Sequence, residues 1–319
     1  ATGNSSLYSN TSGINNTAVG RSALQSNTTG NYNNAVGNNA LQSNTTGTNN
    51  TATGSFALNA NTTGNKNTAN GYDALYLNTT GNSNTGLGYY ALFANTTGEN
   101  NTAVGLEAGR SITTGVRNAL IGNYAGDALT TGQDNTFIGY AAGTYSDDVT
   151  DGLKNTIIGA FSTATTTGSN NAAGLGYNLD CAAGYTTLGT ATSDIRTAHG
   201  STSWATVSDE RYKKDITSST AGLAFVNDLT PRTWNYKTLG ELPETFSAYE
   251  ADSTEVFKNT QTNHGFIAQE VKAVIDNHSE IKDGFRMWDD RDDGSQEVAE
   301  AALIPVLVKA IQELSTQNA

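Results

Sequence analysis

The chain has 319 residues, with 17 Lys and Arg against 30 Asp and Glu, and a net charge of −13. This balance argues against a nucleic-acid partner, because phosphate binding requires clustered Lys and Arg. Residues 208–319 hold 31 of the 47 charged residues, so the first 207 residues are polar but almost uncharged. No apolar run reaches the roughly 20 residues that span a bilayer, and no membrane insertion is predicted.

Glycines recur every 17 residues in two series. The first series is Gly13, Gly30, Gly47, Gly64, Gly81, Gly98, Gly115 and Gly132, and the second follows it by seven residues, from Gly20 to Gly139. An asparagine stands three residues after each first-series glycine, from Asn16 to Asn135. So strict a period is typical of a repeat fold.

Each repeat favours short strands over helix, because Gly and Asn weaken helices. Runs such as Thr17-Ala18-Val19, closed by Gly20, predict strands of three or four residues between tight turns. The glycines suit turns with positive φ, and stacked asparagines can form hydrogen-bonded ladders from coil to coil. We therefore predict a mainly β N-terminal part, a parallel β-solenoid in which each 17-residue repeat is one coil.

The predicted core is thin, with small apolar pairs such as Ala18/Val19 and Ala23/Leu24 in each coil. Burial at about 25 cal/mol per Å² barely offsets the entropy of ordering such a coil. Three chains side by side would share the burial, so we predict a homotrimer. The core is expected to thicken where Leu120/Ile121, Phe137/Ile138 and Ile157/Ile158 replace Ala and Val.

The element Asn16-Thr17-Ala18-Val19-Gly20 resembles the N-S-V-A-I-G element in the head repeats of trimeric autotransporter adhesins. The resemblance covers roughly residues 1–180 and implies a trimeric β-roll. Adhesin repeats are usually shorter than this one. The threonine pairs of the repeat, such as Thr28-Thr29, are explained by the preference of threonine for strands and turns, which is favoured over an ice-binding face.

The repeat ends in a predicted neck, residues 186–207, after the solenoid domain of residues 1–185. Ser208-Asp209-Glu210-Arg211-Tyr212-Lys213-Lys214 then opens the charged part. Ser208 suits a helix N-cap ahead of two acidic residues. A serine five residues before a lysine also suits a Ser/Lys dyad, in which Lys213 takes the serine proton. The two interpretations are compatible.

The segment from Ser208 to Ile216 resembles the start of the endosialidase-type intramolecular chaperone found on phage tail fibres and tailspikes. Three further segments share this resemblance: Leu229–Lys237, Gly265–Val271 and Leu303–Leu314. It implies an α+β chaperone domain over residues 208–319 that ends in a long helix. It also implies cleavage between Val207 and Ser208, with Ser208 as nucleophile and Lys213, rather than Lys214, as base.

Within the last helix, Leu303, Leu307, Ala310 and Leu314 fall at the 4-3-4 spacing of a coiled-coil seam. The alternative is a helix that packs on its own domain.

Other candidate sites are weaker, and neither a metal nor a cofactor is predicted. Asp289–Gly294 resembles a calcium loop, but Arg291 occupies a ligand position, which favours an acidic hairpin turn. A second acidic group, Asp147, Asp148 and Asp151, is interpreted as a solvated turn. Cys181 is the one cysteine, and His199, His264 and His278 are too dispersed for a ligand cluster.

These observations predict a trimeric phage tail-fibre or tailspike protein, present in the virion and acting at the host cell surface. Its partners would be other tail or baseplate proteins and a host glycan or protein receptor. The alternative is a bacterial surface trimeric adhesin built from the same modules. Hydrolysis of host glycans is disfavoured, because the repeats contain few carboxylates for a catalytic pair.

Overall fold

The structure is a computed structural model. It describes residues 1–144, 149–166, 168–191, 193–201, 205–206, 213, 215–246, 248–279, 281, 287–290 and 296–318. The chain divides into two compact units, Ala1–Asp209 and Glu210–Ala319.

The first unit is a parallel β-solenoid. Its first nine strands are β1 (Thr17–Val19), β2 (Asn34–Val36), β3 (Thr51–Thr53), β4 (Thr68–Asn70), β5 (Thr85–Leu87), β6 (Thr102–Val104), β7 (Ala119–Ile121), β8 (Thr136–Ile138) and β9 (Thr156–Ile158). Each pairs in parallel with the equivalent strand of the next coil, so that Ala18 lies beside Ala35. The predicted fold class of the N-terminal part is confirmed.

The solenoid closes with a change of strand direction. The later strands are β10 (Thr163–Ala164), β11 (Ala173–Tyr177), β12 (Asp180–Cys181), β13 (Tyr185–Thr190), β14 (Ser193–Ala198) and β15 (Ala205–Thr206). β11 and β13 continue the parallel stack, whereas β14 and β15 add to it in antiparallel fashion. Much of the segment interpreted as a neck, residues 186–207, therefore belongs to the solenoid sheet.

The two glycine series have different physical roles. Glycines of the second series take positive φ, as expected; Gly37 has φ 145°. Those of the first series do not, but a Cβ at Gly47 would overlap the carbonyl oxygen of Gly64 in the next coil. The corners of the coil are made instead by other residues in the left-handed region, such as Tyr32 at φ 58° and Leu41 at φ 50°. The sequence does not reveal these corners, because left-handed geometry normally favours Gly or Asn.

A ladder of buried asparagines joins the coils, as predicted. Nδ2 of Asn50 donates to the carbonyl oxygen of Gly64 at 2.8 Å, and Oδ1 of Asn50 accepts from the backbone N–H of Asn67 at 3.0 Å. The same pattern extends over Asn16, Asn33, Asn50, Asn67, Asn84, Asn101, Asn118, Asn135 and Asn155. Each side chain thus satisfies two backbone groups that would otherwise be buried without partners.

A second asparagine ladder runs along another edge of the solenoid. Nδ2 of Asn44 donates to Oδ1 of Asn27 at 2.8 Å, and this contact repeats up to Asn95. The ladder stops there because Ile112 occupies the next position. Oδ1 of Asn95 is buried and has no hydrogen-bond partner among the described residues. The end of this ladder marks a change in core composition.

The core of the early coils contains little more than two alanines and one leucine per coil, as in Ala18, Ala23 and Leu24. Val19 was expected beside them, but it points outward and is 42% exposed. The side chains of such a strand alternate between its two faces, so Ala18 is buried and Val19 is not. The core is therefore thinner than the sequence pattern suggested.

The expected thickening towards the C-terminal coils is confirmed in part. Leu120, Phe137 and Ile157 are fully buried where earlier coils have alanine, whereas Ile121 is 42% exposed. The larger strand residues are accommodated because the buried leucine of each coil is replaced, for example by Gly143, where a Cβ would overlap the Phe137 ring. The larger side chain on the strand is thus offset by the loss of the leucine side chain, and the core gains little volume.

The second unit is a small α+β assembly, which confirms the predicted fold class. Its helices are α1 (Leu223–Asp228), α2 (Ala268–Asn277) and α3 (Ile304–Gln317), with 3₁₀ turns at Leu239–Glu241 and Glu300–Leu303. Its strands form two antiparallel pairs, β16 (Arg232–Trp234) with β17 (Asn263–Gly265), and β18 (Trp288–Asp290) with β19 (Gln296–Val298). Its core contains Ala221, Phe225, Leu229, Val271, Ile275, Met287, Leu303 and Val306.

Replacing a ladder asparagine should destabilise the solenoid. In the wild type, Nδ2 of Asn67 donates to the carbonyl oxygen of Gly81 at 2.8 Å, and Oδ1 of Asn67 accepts from the N–H of Asn84 at 2.9 Å. Asn67→Ala removes both hydrogen bonds. We expect a loss of about 2–5 kcal/mol in the free energy of unfolding, measured by denaturant titration with circular dichroism. The control is Asn34→Thr, at an exposed strand position where neighbouring coils have threonine. Equal losses in the two variants would contradict a structural role for the ladder.

Candidate functional site

The predicted catalytic pair is only partly described. Ser208 lies outside the described residues, as do Val207 and Lys214, while Lys213 is described and exposed. The strand β15 ends at Thr206 and pairs with β14 through Thr206 and Ile195. The sheet therefore holds Thr206 in extended form, one residue before Val207.

One segment of the second unit that carries the resemblance, Gly265–Val271, forms a strand-to-helix element. Of the segment Gly265–Val271, Gly265 ends β17, and Ala268 begins α2. Val271 is buried in the core, while Glu270 reaches across to Arg232 on β16, with N–O distances of 2.9 and 2.8 Å. The Arg232 guanidinium lowers the pKa of Glu270. Since both side chains are about half exposed, solvent screens this pair.

The first and last helices of this unit are joined by one carboxylate. Oε2 of Glu313 on α3 accepts a hydrogen bond from the backbone N–H of Leu223, the first residue of α1, at 2.8 Å. The residue before it is Gly222, where a Cβ would overlap the Glu313 carboxylate. This hydrogen bond, followed by the nearby Lys309, lowers the pKa of Glu313. A negative charge is favourable at a helix N-terminus, so the contact fixes α3 against α1.

The predicted coiled-coil seam is split between two faces of α3. Leu303 and Ala310 are buried in the unit's own core, whereas Leu307 and Leu314 are exposed. The four residues thus do not form one seam. The exposed pair instead lies on a stripe that we call the α3 stripe, which consists of Ile304, Leu307, Val308, Ile311 and Leu314.

The α3 stripe carries heptad-like 3-4-3 spacing through Ile304, Leu307, Ile311 and Leu314. Ile311 is 64% exposed in the single chain. This second register was visible in the sequence, but the sequence contains both registers and does not show which one faces the domain core. No sequence pattern indicates the contact between Glu313 and Leu223.

The weaker candidates do not assemble into a site within the described part of the chain. No group of three or more His, Cys, Asp or Glu that could hold a metal occurs among the described residues. Strands β18 and β19 pair as expected of the acidic hairpin, although residues 291–295 between them lie outside the described residues, as do Asp147 and Asp148.

Cys181 is buried, and its burial raises the pKa of the thiol to about 12. Among described helices, none has the length and apolar character needed to cross a membrane.

Comparison with known proteins bears on the C-terminal part. Residues 208–280 match the family model for the chaperone of endosialidase. No curated protein and no solved structure matches the chain. The match begins at Ser208 and includes β16, β17 and α2, while α3 lies beyond it. The match supports a chaperone domain in the C-terminal part and confirms the predicted resemblance over residues 208–280; the resemblance of Leu303–Leu314 and a phage origin stay predictions.

Glu313 should make the stability of the second unit depend on pH. Because its pKa is lowered in the folded state, its stabilisation is present above the ordinary glutamate pKa of 4.5 and is lost as the pH falls through the lower folded value. Glu313→Gln should reduce stability at neutral pH and flatten its decline below pH 4.5.

Tryptophan fluorescence can follow this unfolding, since Trp234 and Trp288 both lie in the second unit. Glu244→Gln, at an exposed position of the same unit, is the control. If both variants showed the wild-type pH dependence, the Glu313 contact would have no role in stability.

Proposed function

We propose that this protein is a trimeric tail-fibre or tailspike protein of a phage, whose C-terminal chaperone directs assembly and is then cut off between Val207 and Ser208. The observation that carries the proposal is the order of modules. A parallel β-solenoid ends at β15, and the match to the chaperone of endosialidase begins two residues later, at Ser208.

The proposed cleavage happens once in each chain. Oγ of Ser208 attacks the carbonyl carbon of Val207, and the hydroxyl proton passes to Nζ of Lys213. The C–N bond then breaks as the Ser208 nitrogen takes a proton, which leaves the Val207 acyl group as an ester on Ser208 Oγ. Water hydrolyses this ester and yields a Val207 carboxylate and an N-terminal Ser208.

Exposure of Lys213 supports a link between cleavage and assembly. A lysine acts as a general base when its ammonium group is desolvated. In the single chain Lys213 is exposed, so desolvation would come from neighbouring chains. Cleavage would then follow correct trimerisation, and removal of the chaperone would leave a product that unfolds slowly.

Two exposed apolar surfaces support a trimer. On the solenoid, the third residue of each three-residue strand points outward, and this row includes Val19, Val36, Ile121 and Ile158. In the second unit, the α3 stripe presents five large apolar side chains. The strand row is interrupted by Thr53 and Asn70. Exposed apolar surface marks association sites in soluble proteins, and burial between three chains would supplement the thin core.

The alternative is a trimeric adhesin on a bacterial surface, which would use the same two modules. The two differ in where the protein is found. A tail fibre is incorporated into virions with other tail or baseplate proteins and binds a host glycan or protein receptor, whereas an adhesin is displayed by the cell that makes it.

The cleavage proposal predicts two fragments on a denaturing gel of the assembled protein, one ending at Val207 and one beginning at Ser208, with the junction read by mass spectrometry. Ser208→Ala should leave the chain intact. Lys213→Arg should do the same, because an arginine side chain stays protonated. Ser218→Ala and Lys214→Arg are the matched controls and should be cut normally. A wild-type chain that stays full-length after trimerisation would rule out self-cleavage.

If three chains assemble through the α3 stripe, a charge introduced into the stripe should prevent trimerisation. Ile311→Glu places a carboxylate in the proposed helix–helix contact, where an unpaired charge is costly to bury. We expect monomeric and uncleaved protein by light scattering and gel analysis. Gln312→Glu, which adds the same charge one residue away from the stripe, should still trimerise. Trimers of normal stability in Ile311→Glu would contradict assembly through this stripe.

A further inference from the structure

A cleft lies on the side of the solenoid, across the coils that contain β6 to β9. Its volume is about 490 Å³, and its lining includes Arg110, Tyr124, Asp127, Tyr140, Ala141 and Phe161. Parallel strands are spaced about 4.8 Å apart, so the cleft extends roughly 14 Å along the solenoid axis. These dimensions suit a short linear ligand.

The cleft lies beside a column of aromatic rings. Aromatic side chains recur one or two residues after second-series glycines, as in Tyr72, Tyr90, Tyr124 and Tyr140, and Phe161 follows Gly159 in the same way. Their rings touch from coil to coil, with centroid distances of 5.8 Å for Tyr124–Tyr140 and 5.1 Å for Tyr140–Phe161.

Small side chains leave room beside these rings. Ala141 takes a place that is aromatic in neighbouring coils, and Ala128 and Thr144 also line the cleft. Tyr140 as a residue remains 47% exposed. Part of the Tyr140 side chain is therefore accessible to a ligand at this site.

The charged side chains at the edge of the cleft largely cancel one another. Nη1 of Arg110 binds Oε2 of Glu107 at 2.9 Å, and the Arg110 guanidinium lies 5.8 Å from the centre of the Tyr90 ring. Asp127 supplies a carboxylate on the next coil. The arginine is thus held in place and balanced by two acidic groups, so the described lining does not favour an anionic ligand, and the chain's net charge of −13 disfavours one.

We propose that this cleft binds a neutral oligosaccharide. Sugar rings present C–H groups that pack on aromatic faces and hydroxyls that both donate and accept hydrogen bonds. Aromatic walls with a few fixed polar groups are the usual composition of a small-molecule site. The inference rests on the proposed function, in which the solenoid contacts a cell surface, and it names the chemical class of the receptor.

The cleft and the proposed chain–chain contact use different positions of the coil. The outward apolar row belongs to the strands, before each second-series glycine, as with Ile121 before Gly122. The aromatic residues follow those glycines, as with Tyr124 and Tyr140. Assembly through the strand row therefore does not require the aromatic positions.

The test uses the full-length chain on an array of neutral oligosaccharides of two to four hexoses or N-acetylhexosamines, with sialylated and uronate-containing members beside them. The wild type should bind neutral members. Tyr140→Ala should weaken that binding by about tenfold, and Tyr140→Phe should retain it, because the ring face supplies the contact. Tyr32→Ala removes an exposed tyrosine from another position of the coil and should bind normally.

Three results would overturn the inference: binding by no neutral member, binding that Tyr140→Ala leaves unchanged, or preference for the acidic members. Loss of the oligomer in Tyr140→Ala would also overturn it and would identify the cleft as a subunit contact. A protein that trimerises and is cut before Ser208, yet binds no neutral sugar, would remove the cleft assignment alone and leave the proposed assembly and cleavage in place.

Discussion

The stacking of one coil on the next is the constraint on which the rest of the solenoid depends. Glycine at the first-series positions lets successive backbones approach closely, and the buried asparagines satisfy the polar groups that this approach encloses. The register survives even the three-residue insertion before Gly152, since Asn155 still donates its backbone N–H to Oδ1 of Asn135 at 3.0 Å. Extra residues are thus tolerated where they leave the ladder intact.

A fold held together by hydrogen bonds between coils can have a small core. Apolar side chains that the small core does not take up then lie on the surface. In the early coils two alanines and a leucine fill the core, and the larger strand residues Val19 and Val36 point outward. The C-terminal unit repeats the arrangement on α3, where Val306 and Ala310 face inward and Ile304 and Ile311 face solvent. Each strand also pairs with one 17 residues away, so every coil requires closure of a loop before its contacts form. The proposed chaperone, which would gather three chains before its removal, suits both properties.

The sequence predicts the parts of this structure that are periodic and local. The 17-residue glycine spacing, the strand positions and the Asn16–Asn155 ladder all follow from repetition. The corners at Leu24 and Leu41 do not, because stacking forces these leucines into a conformation that their own preference opposes. The contact between Glu313 and Leu223 joins residues 90 apart, and no local pattern indicates it. The Ser208 geometry lies outside the described residues, so its role rests on sequence and on the family match.

Native mass spectrometry of the protein after assembly tests the central proposal most directly, because it reports stoichiometry and cleavage together. The expected species contains three copies of a chain that ends at Val207, separated from a fragment that begins at Ser208. A single uncut chain, or a cleaved chain that remains monomeric, would contradict a chaperone that assembles trimers and is then cut off.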